Sequence, residues 1–430
     1  MWNSIDSELV RGQNLVRISG FLLKELCATP ILRHSRIERS GVMRAERVKK
    51  VPPYLFAQID KAKENAISRG IDVISLGVGD PDLATPKYII DELKTSADLV
   101  ENHHYPPYEG LSEFREAAAD WYRRRFNVNA DPDREVYALI GVKEGLIHAF
   151  LALIDPGDVT LVMDPSYPIF EVGTFFAGGE TYHVPLFEKN GYLPDLKSVP
   201  GEVLARAKVI ALNYPHNPTS AVAPLDFYER AVRFARENGL LLINDAVYSE
   251  LYFSDSKPPS VLQVEGAMDC CVEFHSLSKT FNMTGWRIGF AIGNSTAIDA
   301  LSVVKTNTDS GVFRPIQIAA AKALKNDLSS VDYLRDIYRK RRDLVLSELG
   351  KVGVTPYYPE ATFYVWSKLP WGESSAAFCE TMLERSGVIL GPGLGWGQYG
   401  EGYFRIALTV GEDLLRQALD RLCKAISEGP

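Results

Sequence analysis

The chain has 430 residues, 46% of them hydrophobic and 24% charged, which excludes a disordered chain and makes two domains the default expectation. A net charge of −8 argues against nucleic acid or an anionic membrane surface as partner, leaving room only for a local basic pocket. The five cysteines, Cys27, Cys270, Cys271, Cys379 and Cys423, lack zinc-ligand spacing, so no metal site is expected, and their odd count suits reduced thiols in a cytoplasmic protein.

Residues 1–42 carry Arg11, Arg17, Arg33, Arg36 and Arg39 but only one short apolar run, Gly20-Phe-Leu-Leu, which Glu25 interrupts. That is no secretory signal, and Asp6, Glu8, Glu25 and Glu38 are out of character for a transit peptide. A poorly ordered extension is expected there, with the functional protein beginning near Met43. Next, Pro52-Pro-Tyr54-Leu-Phe leads into a polar helix stopped by Gly70, and residues 72–76 read as a short strand. The turn Gly77-Val-Gly79-Asp-Pro-Asp82 has glycines that let backbone approach a ligand. Thr85-Pro86 predicts a helix start with a hydroxyl cap. His103-His104 reads as a solvated pair opening a loop rich in proline and aromatics, through Tyr105 and Tyr108 to Gly110. Leu111, Phe114, Ala118, Trp121 and Tyr122 then recur at helical spacing.

From about 135 to 295, strand and helix signals alternate. Apolar strands at 136–140, 159–163, 208–212 and 240–244 each run into a polar turn. The turns are Gly141-Val142-Lys143, Asp164-Pro-Ser-Tyr167, Asn213 to Thr219 and Asp245-Ala-Val-Tyr248. Continuous apolar strands between amphipathic helices predict a mainly parallel sheet covered on both faces, with a ligand at the carboxyl ends of its strands. Beyond about 323, a charged helix at 333–349 precedes strands at 362–366, 388–390 and 403–408. These predict a smaller α+β domain that recruits the segment around 43–78.

The chemistry concentrates in Ser276-Leu-Ser278-Lys279-Thr280, followed by Gly285-Trp-Arg287. A lysine amine can condense with an aldehyde while hydroxyls and a guanidinium fork take a phosphate, and pyridoxal phosphate (PLP) has both groups. Val142 and Lys143, at a helix start, offer free N–H groups for the phosphate. Asp245 at a strand end suits a protonated pyridine nitrogen, Asn217 and Tyr248 suit the ring's 3-hydroxyl, and Tyr167 offers a face to stack on it. Arg405, on an apolar strand, is costly to bury without an anion such as a substrate α-carboxylate. Singly, each of these reads more readily as a cap, core or loop residue; their convergence on one sheet edge carries the reading.

With Asn217-Pro-Thr219, Asp245-Ala-Val-Tyr248, Ser276-Leu-Ser-Lys279, Arg287 and Phe404-Arg405-Ile in that order, the chain from about Met43 to Gly411 resembles the fold-type I PLP-dependent aminotransferases of the aspartate aminotransferase superfamily. The resemblance implies an α/β fold in which a large domain, 83–323, holds a mainly parallel seven-stranded sheet. The small α+β domain would then comprise 324–430 with the arm 43–82. It also implies that Lys279 is the catalytic residue joined to the cofactor aldehyde, and that the enzyme is a homodimer in which Tyr105 reaches the phosphate of the partner's site. Ser220 departs from the glycine that usually ends the Asn-Pro-Thr turn. Pro52-Pro-Tyr54, Leu76-Gly-Val-Gly79, Gly141-Val-Lys-Glu-Gly145 and Phe313-Arg314-Pro315 resemble the LL-diaminopimelate aminotransferases, which implies substrate contacts at Tyr54, Gly79, Asn217 and Arg405. Tyr108 and Ser310 depart from the plant-type branch of that family, with Glu109 beside them. Competing readings are an aspartate, alanine or aromatic aminotransferase, a PLP-dependent β-lyase, and a PLP-binding sensor fused to a DNA-binding module. The last is opposed by the acidic charge and by an extension without a helix-turn-helix pattern.

Overall fold

The computed structural model describes residues 45–51, 55–372 and 374–429; the expected extension and Tyr54 lie outside them. The chain divides into two units, Met1–Lys50 and Val51–Pro430. In the first, Glu46–Lys50 form a short helix with an ion pair between Lys49 and Glu46.

The described residues of the second unit form three sheets. Its strands begin with β1 (Ile74–Ser75), β2 (Val136–Leu139), β3 (Val159–Asp164), β4 (Glu180–Pro185), β5 (Ala207–Leu212) and β6 (Leu241–Asp245). They continue with β7 (Cys271–Ser276), β8 (Gly289–Gly293), β9 (Tyr364–Lys368), β10 (Val388–Ile389), β11 (Gly391–Pro392) and β12 (Tyr403–Ala407). The main sheet has seven strands in the order β2-β8-β7-β6-β5-β3-β4, and β8 runs opposite in direction to the other six. Strands β3 and β7 are buried along their whole length, as expected where both faces are covered. Along β5 the two faces separate cleanly: Ile210 and Leu212 enter one core, Val209 and Ala211 the other. The helix Ser112–Phe126 feeds Phe114, Ala118, Trp121 and Tyr122 into the first core. The helix Val142–Leu153 feeds Leu146, Ala149 and Phe150 into the second.

Two smaller sheets join distant parts of the chain. Strand β12 lies between β11 and β9, all antiparallel. Strand β1 pairs in parallel with β10, through Ile74 opposite Val388. Just past β1, Asp82 takes both Nη atoms of Arg341, at 2.7 and 2.8 Å, an ion-pair fork that anchors the glycine turn.

Two local expectations need correction, and one edge strand was not foreseen. Thr85 does not cap a helix: its hydroxyl donates to the Asn282 carbonyl at 2.8 Å, and the helix Lys87–Ala97 opens from Pro86 without a side-chain cap. The strand expected at 362–366 begins at Tyr364, because Thr362 has a left-handed backbone at φ 65°. Strand β4 escaped notice because it is the sheet's edge, where exposure erases the apolar run.

Candidate active site

The carboxyl ends of β3, β5, β6 and β7 face a cavity of about 330 Å³. At the end of β7 the chain enters a short helix, Leu277–Thr280, whose first turn is held by the Ser276 hydroxyl accepting from the Ser278 N–H at 3.1 Å. This turn presents Lys279 to the cavity, where Nζ donates to the Gly79 carbonyl at 3.4 Å and stands 5.4 Å from the Phe363 ring centre. Burial lowers the lysine pKa to about 8; the nearby Arg287 and Arg405 act in the same direction, while Asp80 and Asp245 oppose it. A larger share of the amine is therefore neutral near physiological pH than in an exposed lysine.

Asp245, the last residue of β6, is 4% exposed, and its Oδ1 has no hydrogen-bond partner among the described residues. Burial pushes this carboxyl up to about 7, against the opposing pull of the Val247 N–H and of Lys279. A buried carboxylate oxygen without a donor is costly, so the site is built to receive one.

On another side of the cavity, Arg287 has a left-handed backbone (φ 56°) and donates from Nη1 to the Thr284 carbonyl at 2.7 Å. Its guanidinium crosses Gly141 so closely that a Cβ there would lie 2.1 Å from Nη2. Gly141 itself has φ 82°, so both space and backbone require glycine. Immediately after it the helix Val142–Leu153 begins, with Val142 and Lys143 on the cavity wall. Helix N–H groups, a lysine and an arginine thus converge on one end of the cavity beside Ser276 and Ser278.

At the other end, Asn217 receives Arg405 Nη1 on its Oδ1 at 2.8 Å. Arg405 is fully buried, donates from Nη2 to the Gly77 carbonyl at 2.8 Å, and has the rings of Tyr364 and Trp396 3.8 and 4.2 Å from its guanidinium carbon. The Tyr248 hydroxyl is 3.1 Å from that of Tyr364. A Cβ on Gly79 would come within 2.1 Å of the Tyr364 hydroxyl, so the glycine turn and this ring fit only together.

Of the residues singled out in the sequence, Gly79, Tyr167, Asn217, Asp245 and Tyr248 line this one cavity, together with the phosphate-end group and Lys279. Arg405 stands one side chain behind, in contact with Asn217. Tyr105 is 84% exposed and does not border the cavity of its own chain, and Tyr108, Glu109 and Ser310 are exposed as well. The sequence reading missed Asn213, Thr284 and Tyr364 as cavity residues. Tyr364 was hidden inside the apolar run Phe363-Tyr-Val-Trp366, which reads simply as buried strand.

The family model of the class I and II aminotransferases matches residues 71–422. The chain belongs to this family. The aminotransferase is 50% identical over 378 residues to the LL-diaminopimelate aminotransferase of Aquifex aeolicus, covering 88% of this chain and 98% of that one. It is 48% identical over 384 residues to the enzyme of the same name from Moorella thermoacetica, covering 89% and 98%. Among solved structures, substrate-bound BacF from Bacillus subtilis superposes with a TM-score of 0.87 at 36% identity, covering 89% of this chain and 98% of that one.

Aminotransferases of this family use PLP, and the cavity fits it. The unpartnered Asp245 Oδ1 wants a cationic N–H, which a protonated pyridine nitrogen supplies. The Gly141–Arg287 cradle and the adjoining helix N-terminus suit a phosphate, and Lys279 is an amine whose pKa is lowered. The protein is a PLP-dependent aminotransferase.

Proposed function

We propose that this aminotransferase interconverts tetrahydrodipicolinate plus glutamate with LL-2,6-diaminopimelate plus 2-oxoglutarate, acting in the cytoplasm on the route to lysine. The observation that carries the substrate assignment is half-identity along nearly the full length of relatives bearing that name. The reaction type rests on Lys279 and Asp245 facing one cavity that ends in a phosphate-suited cradle.

When bound, PLP supplies an electron-accepting ring on which an amino group can be exchanged. The chain's own residues do the remaining work. Lys279 would hold the cofactor by its aldehyde, and its Nζ is placed to move the proton of the substrate Cα; the pKa lowered to about 8 leaves a usable share of free base. Asp245 would hold the ring nitrogen in its charged form, Asn217 and Tyr248 would hold the 3-hydroxyl, and Tyr167 would offer its face to the ring. Val142, Lys143, Ser276, Ser278 and Arg287 would hold the phosphate. Arg405 would receive the α-carboxylate on its planar fork beside Asn217, and the rest of the substrate is assigned to Gly79 and to Tyr54, which lies outside the described residues. Because each half-reaction returns a free enzyme form, kinetics are ping-pong.

The active unit in this reading is a homodimer, with Tyr105 of each chain extending into the partner's site; its 84% exposure in the single chain suits that role. The large domain is assigned to 83–323 and the small one to 43–82 with 324–430. Profiling amino donors with 2-oxoglutarate tests the proposal. LL-2,6-diaminopimelate should be turned over in preference to aspartate, alanine and aromatic amino acids, and Lys279→Ala should abolish transfer along with the visible absorption of bound PLP. Rapid turnover of aspartate or alanine with none of diaminopimelate would replace the substrate assignment. Release of ammonia and pyruvate would make the protein a β-lyase.

A further inference from the structure

Two non-glycine residues with left-handed backbones face each other behind the cavity. Ser220 (φ 67°) ends the turn that carries Asn217, and Thr362 (φ 65°) lies just before β9. Both are completely buried, and their hydroxyl oxygens are 2.7 Å apart. A left-handed backbone is unfavourable for serine and more so for β-branched threonine, so the surroundings must hold both in place.

The hydrogen bonds show what holds them. Ser220 Oγ donates to the Tyr364 carbonyl at 2.8 Å. The Tyr364 N–H donates to Thr362 Oγ1 at 3.1 Å. The serine proton being committed, Thr362 must donate to Ser220. The result is a closed loop from the Tyr364 N–H through two hydroxyls to the Tyr364 carbonyl. Strand β9 lies at the edge of its sheet, where backbone groups on the open side need partners from elsewhere.

Tyr364 is the residue this loop holds. Its ring lies 3.8 Å from the Arg405 guanidinium carbon, its hydroxyl is 3.1 Å from that of Tyr248, and it closes the cavity against Gly79. We infer that Ser220 and Thr362 are positioning residues that fix Tyr364 at the edge of β9 and thereby hold Arg405 in register for the substrate carboxylate. The inference rests on the proposed role of Arg405. A glycine at 220 would accept the backbone conformation without strain but would leave the Tyr364 carbonyl without its donor.

Binding of glutarate, a dicarboxylate that cannot react, to the PLP-loaded enzyme tests this, read by tryptophan fluorescence. Ser220→Gly should raise the Kd about fivefold, the equivalent of one ordinary hydrogen bond. The KM for the amino donor should rise in parallel while kcat holds. In a Tyr364→Leu background the same substitution should have no further effect, because the two residues act in series. Thr362→Ser should bind as wild type, and Thr362→Val, which has the same shape without the hydroxyl, should match Ser220→Gly and serves the test if that variant does not fold. Wild-type binding by Ser220→Gly, or an equal loss in the Tyr364→Leu background, would overturn the inference alone, provided Arg405→Gln is weakened. Wild-type binding by Arg405→Gln would overturn the carboxylate role of Arg405 and the inference with it.

Discussion

Replacing Asp245 by asparagine probes the buried carboxylate directly. The substitution keeps size and shape, removes the charge and supplies an N–H where the wild-type Oδ1 has no partner. In the protein without PLP, burial raises this carboxyl from its usual 3.8 to about 7. Its proton is thus held more tightly in the folded than in the unfolded chain, so its contribution to stability is complete below pH 3.8 and is lost as pH rises through 7. The gap corresponds to about 4 kcal/mol, of which about 3 kcal/mol falls between pH 5 and pH 8. Lys279 does not confuse this window: with a pKa lowered from 10.5 to about 8, it is mostly protonated below that point in both states, and its own stability loss occurs as pH falls from 10.5 to 8. Urea unfolding of the PLP-free proteins at pH 5 and 8 should therefore show the variant gaining on the wild type by about 3 kcal/mol across the interval. Saturating PLP should shift the difference at pH 8 back toward the wild type, since only the carboxylate can pair with the ring nitrogen. A wild-type-to-variant difference that does not change with pH would refute the idea of a buried carboxyl waiting for a cationic partner.

Other substitutions follow from the same geometry. Gly79→Ala would drive a methyl to 2.1 Å from the Tyr364 hydroxyl, so it should cost about 1–3 kcal/mol of stability and raise KM for the amino donor; unchanged melting and kinetics would show that the turn and ring can part freely. Arg405→Lys keeps the charge but loses the fork, and kcat/KM for amino acids should fall about a hundredfold with PLP absorption intact; near-wild-type kinetics would place the carboxylate elsewhere. If Tyr105 serves the partner's site, Tyr105→Ala and Lys279→Ala subunits should complement each other when coexpressed, because one site of the mixed dimer is then whole. Activity no greater than that of the separately purified variants combined without subunit exchange would argue for self-contained sites.

Much of the site was legible because its chemistry sits in short polar turns that interrupt apolar strands. Asp245, Asn217, Lys279 and the Gly141 turn each follow a run of buried residues, and a parallel sheet places such turns on one edge. What could not be read was any residue whose role depends on who faces it. Thr85 looked like a helix cap and instead ties its loop to Asn282, 197 positions away. Tyr364 looked like strand core and is cavity wall, because only the folded chain sets it against Gly79 and Tyr248.

Ser220 shows the division most plainly. By itself the sequence marked this position as a departure from the usual glycine, and pointed to a lysine and a strand-end aspartate for one cofactor and a buried arginine for the substrate carboxylate. The order of the seven strands, the pairing of β1 with β10 and the hydroxyl loop from Ser220 to Tyr364 were decided only in three dimensions. Periodicity and turn chemistry are local, acting over a few residues, whereas the pairing of β1 with β10 and the Ser220–Tyr364 hydrogen bond join positions more than a hundred residues apart. Their cost or benefit exists only once both sides have left water.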